Sequence, residues 1–224
     1  FLGAQRMITG PSHEYPSRSK GHPDQHATGH QDPETLLDEL SEIEIQRAVR
    51  KRTTTAEKLA RNAPQAHRKE MEKLFNIGLY VHERFEQIHK LPRRDINGAL
   101  AIFLYGIWST YNPGHRIPGP SFPRLITSSH EILAKWGDFL ETYERSAPGK
   151  RQSLYETFAM VGNWLLMIQH HLNAQPDDTA LNNVKIMVRE IIVRSLKIEP
   201  ECIIIGQDGH LMLIPLTHSQ EISA

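Results

Sequence analysis

The sequence predicts an all-α protein, a helical bundle of five to six helices with a small C-terminal β-hairpin. Apolar residues recur at helical spacing along most of the chain up to residue 196, which predicts the helices. After Pro200, two short apolar runs flank Gln207-Asp208-Gly209, which predicts a hairpin turn. With 224 residues, 39% of them hydrophobic and 23% charged, the chain can bury an ample core. This composition excludes wholesale disorder and fibrous classes.

The N-terminal segment, residues 1–33, is predicted to be a flexible arm rich in proline, glycine and histidine. Three prolines and three glycines lie between Gly10 and Gly29, and no apolar period runs through them. Asp32 followed by Pro33 has the form of a helix N-cap with proline at the first helical position. We therefore expect one domain over residues 34–216, followed by a tail over residues 217–224.

Three apolar stripes predict the first half of the bundle. The first stripe starts after Pro33 and weakens near residues 53–56, where a new helix is one interpretation. A long amphipathic helix is predicted over residues 65–89, and Asp95 caps a central apolar helix that stops at Asn112. The apolar residues of the first two stripes are Leu36, Leu37, Leu40, Ile43 and Val49, and then Met71, Leu74, Val81, Phe85 and Ile88.

Three more helices are predicted before the hairpin. They follow a loop over residues 112–123 whose four prolines and two glycines cannot continue a helix. The last of the three is capped by Asp177 or Asp178. Their stripes are Leu125, Ile132, Trp136, Phe139 and Tyr143; then Leu154, Phe158, Val161, Leu165, Ile168 and Leu172; and then Leu181, Val184, Val188, Ile191 and Leu196.

The apolar stretches of these helices follow a distinctive order along the chain. Residues 95–104 read DINGALAIFL, residues 108–112 read WSTYN, residues 151–158 read RQSLYETF, and LKIEP at residues 196–200 leads into the hairpin. Over roughly residues 65–216 this pattern resembles an uncharacterised bacterial helical family, a domain of unknown function. The resemblance implies an all-helical bacterial domain that often follows a secretion signal. No catalytic residue carries over from it.

Charge, cysteine content and hydropathy exclude several classes of function. The 26 basic residues balance 26 acidic ones, so no global field attracts nucleic acid or an anionic membrane. Cys202 is the only cysteine, which excludes an internal disulfide and a multi-cysteine zinc site. The longest apolar stretch, residues 99–108, is too short to span a membrane and predicts a core helix. The start at Phe1 fits either a removed signal or a cut from a longer product, so exported and cytoplasmic locations both stay open.

Histidine and carboxylate patterns do not predict a metal site or a cofactor. His22, His26 and His30 are spaced four apart, but the glycines and prolines around them argue against the helix that would align them. Glu86 and His89 match half of a di-iron carboxylate motif, and no second copy follows on another helix. No complete motif for nucleophilic catalysis or phosphate binding is present, and Cys202 is expected to be inert packing. The sequence therefore leans away from an enzyme.

A basic segment between residues 47 and 73 is the most distinctive charge feature. It carries nine lysines or arginines against three acids, and it follows six acidic residues between Asp32 and Glu44. Such a face could bind phosphates, but the segment has no aromatic residues to stack on bases. The plainer interpretation is that acidic and basic helices offset each other or face solvent. The candidate nucleic-acid residues are Arg47, Arg50, Lys51, Arg52, Lys58, Arg61, Arg68 and Lys69.

The end of the central helix and its proline-stiffened loop form a second candidate site. Aromatic residues beside a rigid loop, with a cation and a histidine, are typical of a ligand-binding groove. The alternative is that the two aromatic residues belong to the core. The residues of this candidate groove are Trp108, Tyr111, Asn112, His115 and Arg116.

The expected function is therefore a non-enzymatic protein-interaction or scaffold module, with a protein partner or self-association. Two alternatives stay open. One is nucleic-acid binding through the basic segment, and the other is small-ligand binding at the groove near residues 108–116. Any apolar stripe assigned to the core could instead face a partner helix, so the oligomeric state is left open.

Overall fold

The computed structural model of the protein describes residues 32–135 and 139–214, and within them the fold is all-α with a C-terminal hairpin, as predicted. His22, His26, His30, Trp136 and the tail over residues 217–224 lie outside the described residues. Nine α-helical segments occur in the described part, where five to six helices were predicted. The first predicted helix is divided into shorter ones.

The first predicted helix is three short helices because polar side chains cap new starts. Helix α1 (Pro33–Asp38) begins as predicted, with the Asp32 side chain accepting from the Thr35 N–H at 2.7 Å. Helix α2 (Glu42–Arg50) begins with a capping box between Ser41 and Glu44, and helix α3 (Thr54–Ala60) is capped by Thr53. Each cap satisfies N–H groups that a continuous helix would have bonded internally.

The long helices follow the predicted stripes closely. Helix α4 (Arg68–Ile88) follows a 3₁₀ turn over Gln65–His67, and helix α5 (Ile96–Tyr111) is capped by Asp95. The fourth predicted stripe is covered by α6 (Phe122–Lys135) and α7 (Phe139–Arg145), on either side of residues 136–138, which lie outside the described residues. Helix α8 (Pro148–Ala174) and helix α9 (Asp178–Leu196) complete the bundle, and Asp177 is the cap of α9.

Helix α5 is the centre of the core, as its apolar sequence predicts. Every residue from Gly98 to Thr110 is buried, and α5 packs most extensively against α8, which also packs on α4. The α5 and α8 backbones approach each other at two glycines. A Cβ on Gly162 would lie 2.7 Å from the Phe103 Cα, and one on Gly106 would lie 2.6 Å from the Gly162 carbonyl oxygen. No described helix combines the length and apolar character that a membrane crossing requires.

The hairpin packs on the bundle through one face. Strand β1 (Ile203–Ile205) pairs antiparallel with β2 (Leu211–Leu213), and Ile204 lies opposite Met212. The turn contains Gly209, whose φ of +80° is unfavourable for other residues and whose Cα lies against the Ser121 carbonyl oxygen. The Ser121 hydroxyl donates to the Gln207 carbonyl oxygen at 2.8 Å, which ties the turn to the start of α6.

Candidate interaction surface

Exposed apolar side chains concentrate on the hairpin. Strand alternation buries Ile203, Ile205 and Leu211 against the bundle and turns the other side of the hairpin outward. On that outer side, Ile204, Met212 and Ile214 are 38%, 41% and 47% exposed. We call these three residues the outer face. Apart from Ile43 and Ile186, they are the large hydrophobic residues that are exposed in the described part of the chain.

A groove of about 420 Å³ runs beside the outer face, between β2 and α6. Its helical wall is one face of α6, and its other wall is the stretch from His210 to Ile214. Ser128 and Ile132 are buried in that helical wall, whereas Glu131 and Lys135 are exposed. Neither of these two charged side chains forms an ion pair within residues 32–135 and 139–214. The α6 residues of the wall are Ser128, Glu131, Ile132 and Lys135.

The main chain of β2 presents unused hydrogen-bonding groups toward this groove. Within the hairpin, the Gly206 N–H donates to the His210 oxygen and the Ile214 N–H donates to the Cys202 oxygen. Hydrogen-bonded residue pairs alternate with non-bonded pairs along an antiparallel ladder, so these two bonds fix the pattern. By this alternation and the register, Ile204 and Met212 form the hydrogen-bonded pair between them. Leu211 and Leu213 therefore direct their N–H and C=O groups away from β1, to the outer edge of the hairpin. No other described backbone group bonds to Leu211 or Leu213 there.

The predicted nucleic-acid residues are all exposed, but they are spread over α2, α3, the start of α4 and the turns after α2 and α3. Lys51 pairs with Glu83 at 2.5 Å, Arg61 pairs with Glu57 at 2.6 Å, and Arg68 Nε donates to the Ala63 carbonyl oxygen. The remaining residues have no ion pair within the part of the chain that the structure describes. These are Arg47, Arg50, Arg52, Lys58 and Lys69.

Glu44, at the end of the acidic stretch, does not pair with the basic segment that follows it. Glu44 instead pairs with Arg84 of α4 at 2.9 Å and accepts from the Tyr80 hydroxyl. Its pKa is lowered to about 2, chiefly by the hydrogen bonds from Ser41. Arg47 and Arg50 of α2 are exposed and line a groove with the 73% exposed Ile43 and with Glu42.

The predicted groove near residues 108–116 has most of its polar groups engaged within the chain. Trp108 is buried, with His115 at its ring edge, and the Asn112 side chain donates to the Trp108 carbonyl oxygen. The Tyr111 hydroxyl donates to the Lys185 carbonyl oxygen at 2.8 Å, and Lys185 Nζ lies 5.7 Å from the Tyr111 ring centroid. Arg116 Nε lies 2.5 Å from Glu34 Oε2. Ligand binding at this groove stays a prediction.

Glu34, the partner of Arg116, was not predicted as a site residue. Its side chain is buried between α1 and α5, where Oε1 accepts from the Tyr105 hydroxyl at 3.2 Å. Burial raises the pKa of the Glu34 carboxyl, and the nearby Arg116 guanidinium opposes that shift. The pairing joins α1 to the loop after α5. The local sequence around Pro33 did not predict this pairing, because Glu34 and Arg116 are 82 residues apart in the sequence.

Glu86, considered above as half of a di-metal motif, holds a loop in place. Its carboxylate accepts from the Asp95 N–H at 2.9 Å and from the Arg94 N–H at 3.2 Å, just before helix α5 begins. His82 is fully buried, and its Nε2 lies 3.6 Å from Glu86 Oε1. Burial raises the pKa of the Glu86 carboxyl, but His82 and the Arg94 N–H outweigh burial and lower it below its usual range. The described residues contain no cluster of three or more metal-ligating side chains.

The residues of the groove beside β2 were not predicted as a site. The hairpin prediction alone would have placed Ile204 and Met212 on the same face, because alternate strand residues share a side. Glu131 and Lys135 face β2 because of the way α6 packs beside the hairpin. The apolar periodicity of α6 or of β2 does not predict that packing. Cys202 is buried, in agreement with its expected packing role.

Comparison with known proteins assigns the chain to a family whose activity is not defined. Neither the curated proteins nor the solved structures contain a match. A family model described as a family of unknown function, DUF6683, matches residues 19–213, which includes the whole bundle and the hairpin strands. This chain is a member of the DUF6683 family.

Proposed function

We propose that this protein is a non-enzymatic protein-interaction module whose outer face, Ile204, Met212 and Ile214, binds another protein. The observation that carries the proposal is the grouping of these apolar side chains on a structure that needs none of them for its core. Water-exposed apolar side chains that lie together mark protein contact sites more often than single ones do.

The chemistry of the buried polar groups agrees with a non-enzymatic role. Glu86 and Glu34 both bind groups of this chain and join neighbouring elements. A carboxylate that accepts two backbone N–H groups holds those groups in place and has a structural role. These contacts give the two buried acids a structural explanation that needs no substrate.

Capture from the source extract tests the proposal. The tagged full-length protein is incubated with extract, with and without nuclease, and stoichiometric partners are identified by mass spectrometry. We expect partners that survive nuclease and are lost with Ile204→Lys. The matched control is Ile186→Lys, which places the same charge on a 61% exposed isoleucine of α9. Equal capture by both variants would contradict the assignment of the outer face.

Nucleic-acid binding through the basic segment is the second candidate. It is favoured by the exposure of all eight residues and by the absence of ion pairs for five of them within the described part of the chain. Phosphate contacts release counterions, so the affinity would fall steeply with salt. Binding of a duplex at low salt that weakens with Arg47→Ala and Arg50→Ala would support it. Partners that disappear with nuclease in the capture experiment would favour it over the first proposal.

A further inference from the structure

The outer edge of β2 has hydrogen-bonding groups that select an extended backbone as their partner. Leu211 and Leu213 direct two N–H and two C=O groups toward the groove, and both strands of the hairpin are only three residues long. Three of the devices that block strand addition are missing from the stretch from Leu211 to Ile214, which has no charged residue, no proline and no bulge. The edge of β1 differs, since the Ile203 N–H bonds to the Pro200 oxygen.

This edge is complementary to itself. If two β2 strands meet antiparallel around a twofold axis at Met212, Leu211 lies opposite Leu213 of the partner subunit. Each such pair exchanges two N–H···O=C bonds, and the twofold axis makes two such pairs. Every outward main-chain group of Leu211 and Leu213 is then bonded.

The helical wall of the groove is complementary to itself as well. Glu131 and Lys135 lie one helical turn apart on the α6 face that lines the groove, with buried Ile132 between them. They are symmetric about residue 133, so an antiparallel α6 pair around the same axis places Glu131 near Lys135 of the partner subunit, and the reverse. In a twofold interface, opposite charges at equal distances from the centre each meet their opposite on the partner subunit. Both charges are exposed and without an ion pair in the part of the chain that the structure describes.

We propose that this chain forms a twofold homodimer through the outer edge of β2 and the Glu131–Lys135 face of α6. The second copy satisfies the edge and the charges together. The two hairpins become one four-stranded sheet, and the two outer faces become a single surface with twice as many exposed apolar side chains. This interface borders the outer face, because Met212 and Ile214 also line the groove. It uses main-chain groups of β2 and charged side chains of α6, so the dimer goes beyond the proposed function and does not depend on it.

Charge reversal tests the dimer with the full chain alone. Molar mass is measured by analytical ultracentrifugation over a range of concentrations for the wild type, Glu131→Lys, Lys135→Glu and the double reversal. Each single reversal places two pairs of like charges at the interface, and we expect it to raise the dimer Kd by about tenfold or more. The double reversal restores opposite charges and is expected to restore the dimer. Wild type that is still monomeric at about 100 µM would overturn the proposal, because a dimer with a micromolar Kd is almost fully formed at that concentration.

Mixing the two single variants gives the most specific result. Glu131→Lys presents two positive residues and Lys135→Glu two negative ones, so an equimolar mixture is expected to form a heterodimer where each variant alone stays monomeric. A wild-type dimer that no reversal weakens, or a mixture that stays monomeric, would overturn the interface.

A second variant examines the strand edge. Leu213→Pro removes an N–H that points away from β1, a position where an edge strand tolerates proline. We expect loss of the dimer with the helical circular dichroism signal retained, and a retained dimer would contradict edge pairing. The outer-face variant Ile204→Lys lies on β1 and is expected to dimerise normally. Capture of an external protein by a monomeric wild type would leave the proposed function standing while the dimer fails.

Discussion

The helical core and the C-terminal hairpin differ in how much of their apolar surface they bury. Where α5 crosses α8, both surfaces are buried and two glycines let the backbones approach closely. The hairpin buries one face against the bundle and leaves the other, with Ile204 and Met212, in solvent. The two regions therefore differ in how much apolar surface a partner could contact. In α5 every residue from Gly98 to Thr110 is buried, whereas the hairpin keeps apolar side chains and main-chain groups that a partner can contact.

The closest contact of the core gives the largest expected effect on stability. In Gly162→Val the new Cβ would lie 2.7 Å from the Phe103 backbone, and the helices must separate to accept it. We expect the free energy of unfolding to fall by about 3 kcal/mol or more, measured by urea denaturation. Gly149→Ala is the control, because nothing lies within 4 Å of its added Cβ near the start of α8. It should be neutral or slightly stabilising. Similar losses from both variants would contradict the close approach.

The buried carboxylate Glu86 gives the next largest effect, together with a pH dependence. Glu86→Gln replaces the charged carboxylate that accepts from the Arg94 and Asp95 N–H groups with a neutral amide. We expect the free energy of unfolding to fall by about 2 kcal/mol at pH 7. The folded protein lowers the pKa of Glu86, so its stabilisation is complete above the usual carboxyl pKa of about 4.3 and is lost as the pH falls through the folded-state pKa. The difference between wild type and variant, from denaturation at several pH values, should therefore shrink in acid.

The contribution of Glu34 to stability is expected to change with pH in the opposite direction to that of Glu86. Burial raises its pKa in the folded protein, so its contribution is complete below about pH 4.3 and declines as the pH rises through the raised folded-state pKa. Glu34→Gln should remove that decline. Equal pH profiles for the two variants would contradict the assignment of their environments.

A variant of the turn separates the hairpin from the core. Gly209→Ala adds a Cβ that would lie 2.0 Å from the Ser121 carbonyl oxygen, on a backbone with φ of +80°. We expect about 2 kcal/mol of local destabilisation, with the hairpin detached from the start of α6. Hydrogen exchange should accelerate at residues 203–213 while amides of α5 and α8 keep their protection. Equal acceleration in α5 would mean that the hairpin belongs to the same cooperative unit as the core.

The outer face gives the smallest expected effect on folding. Ile204→Lys replaces a side chain that already meets solvent, and we expect the unfolding free energy to change by no more than about 0.5 kcal/mol. Thermal denaturation beside Ile205→Lys, which would place a charge in the buried face, makes the contrast direct. A large loss from Ile204→Lys would show that the outer face serves the core after all.

The sequence predicted the fold better than it predicted the contact surfaces, for physical reasons that particular residues make clear. Helical periodicity and caps such as Asp32 and Asp95 act over a few residues, so the helices and the hairpin could be located. The capping box at Ser41 is equally local and could have been recognised as a helix start. The ion pair of Glu34 with Arg116, and the groove between α6 and β2, join distant segments, and no local pattern encodes how those segments pack.

Site-specific photo-crosslinking in the source cells tests the central claim most directly, namely that the hairpin carries the contact surface. A benzophenone amino acid is placed at position 204 on the outer face or at position 186 on α9, both of which carry exposed isoleucines. Illumination should yield a discrete adduct of higher mass from position 204 and none from position 186. No adduct from position 204, or the same adducts from both positions, would contradict the account.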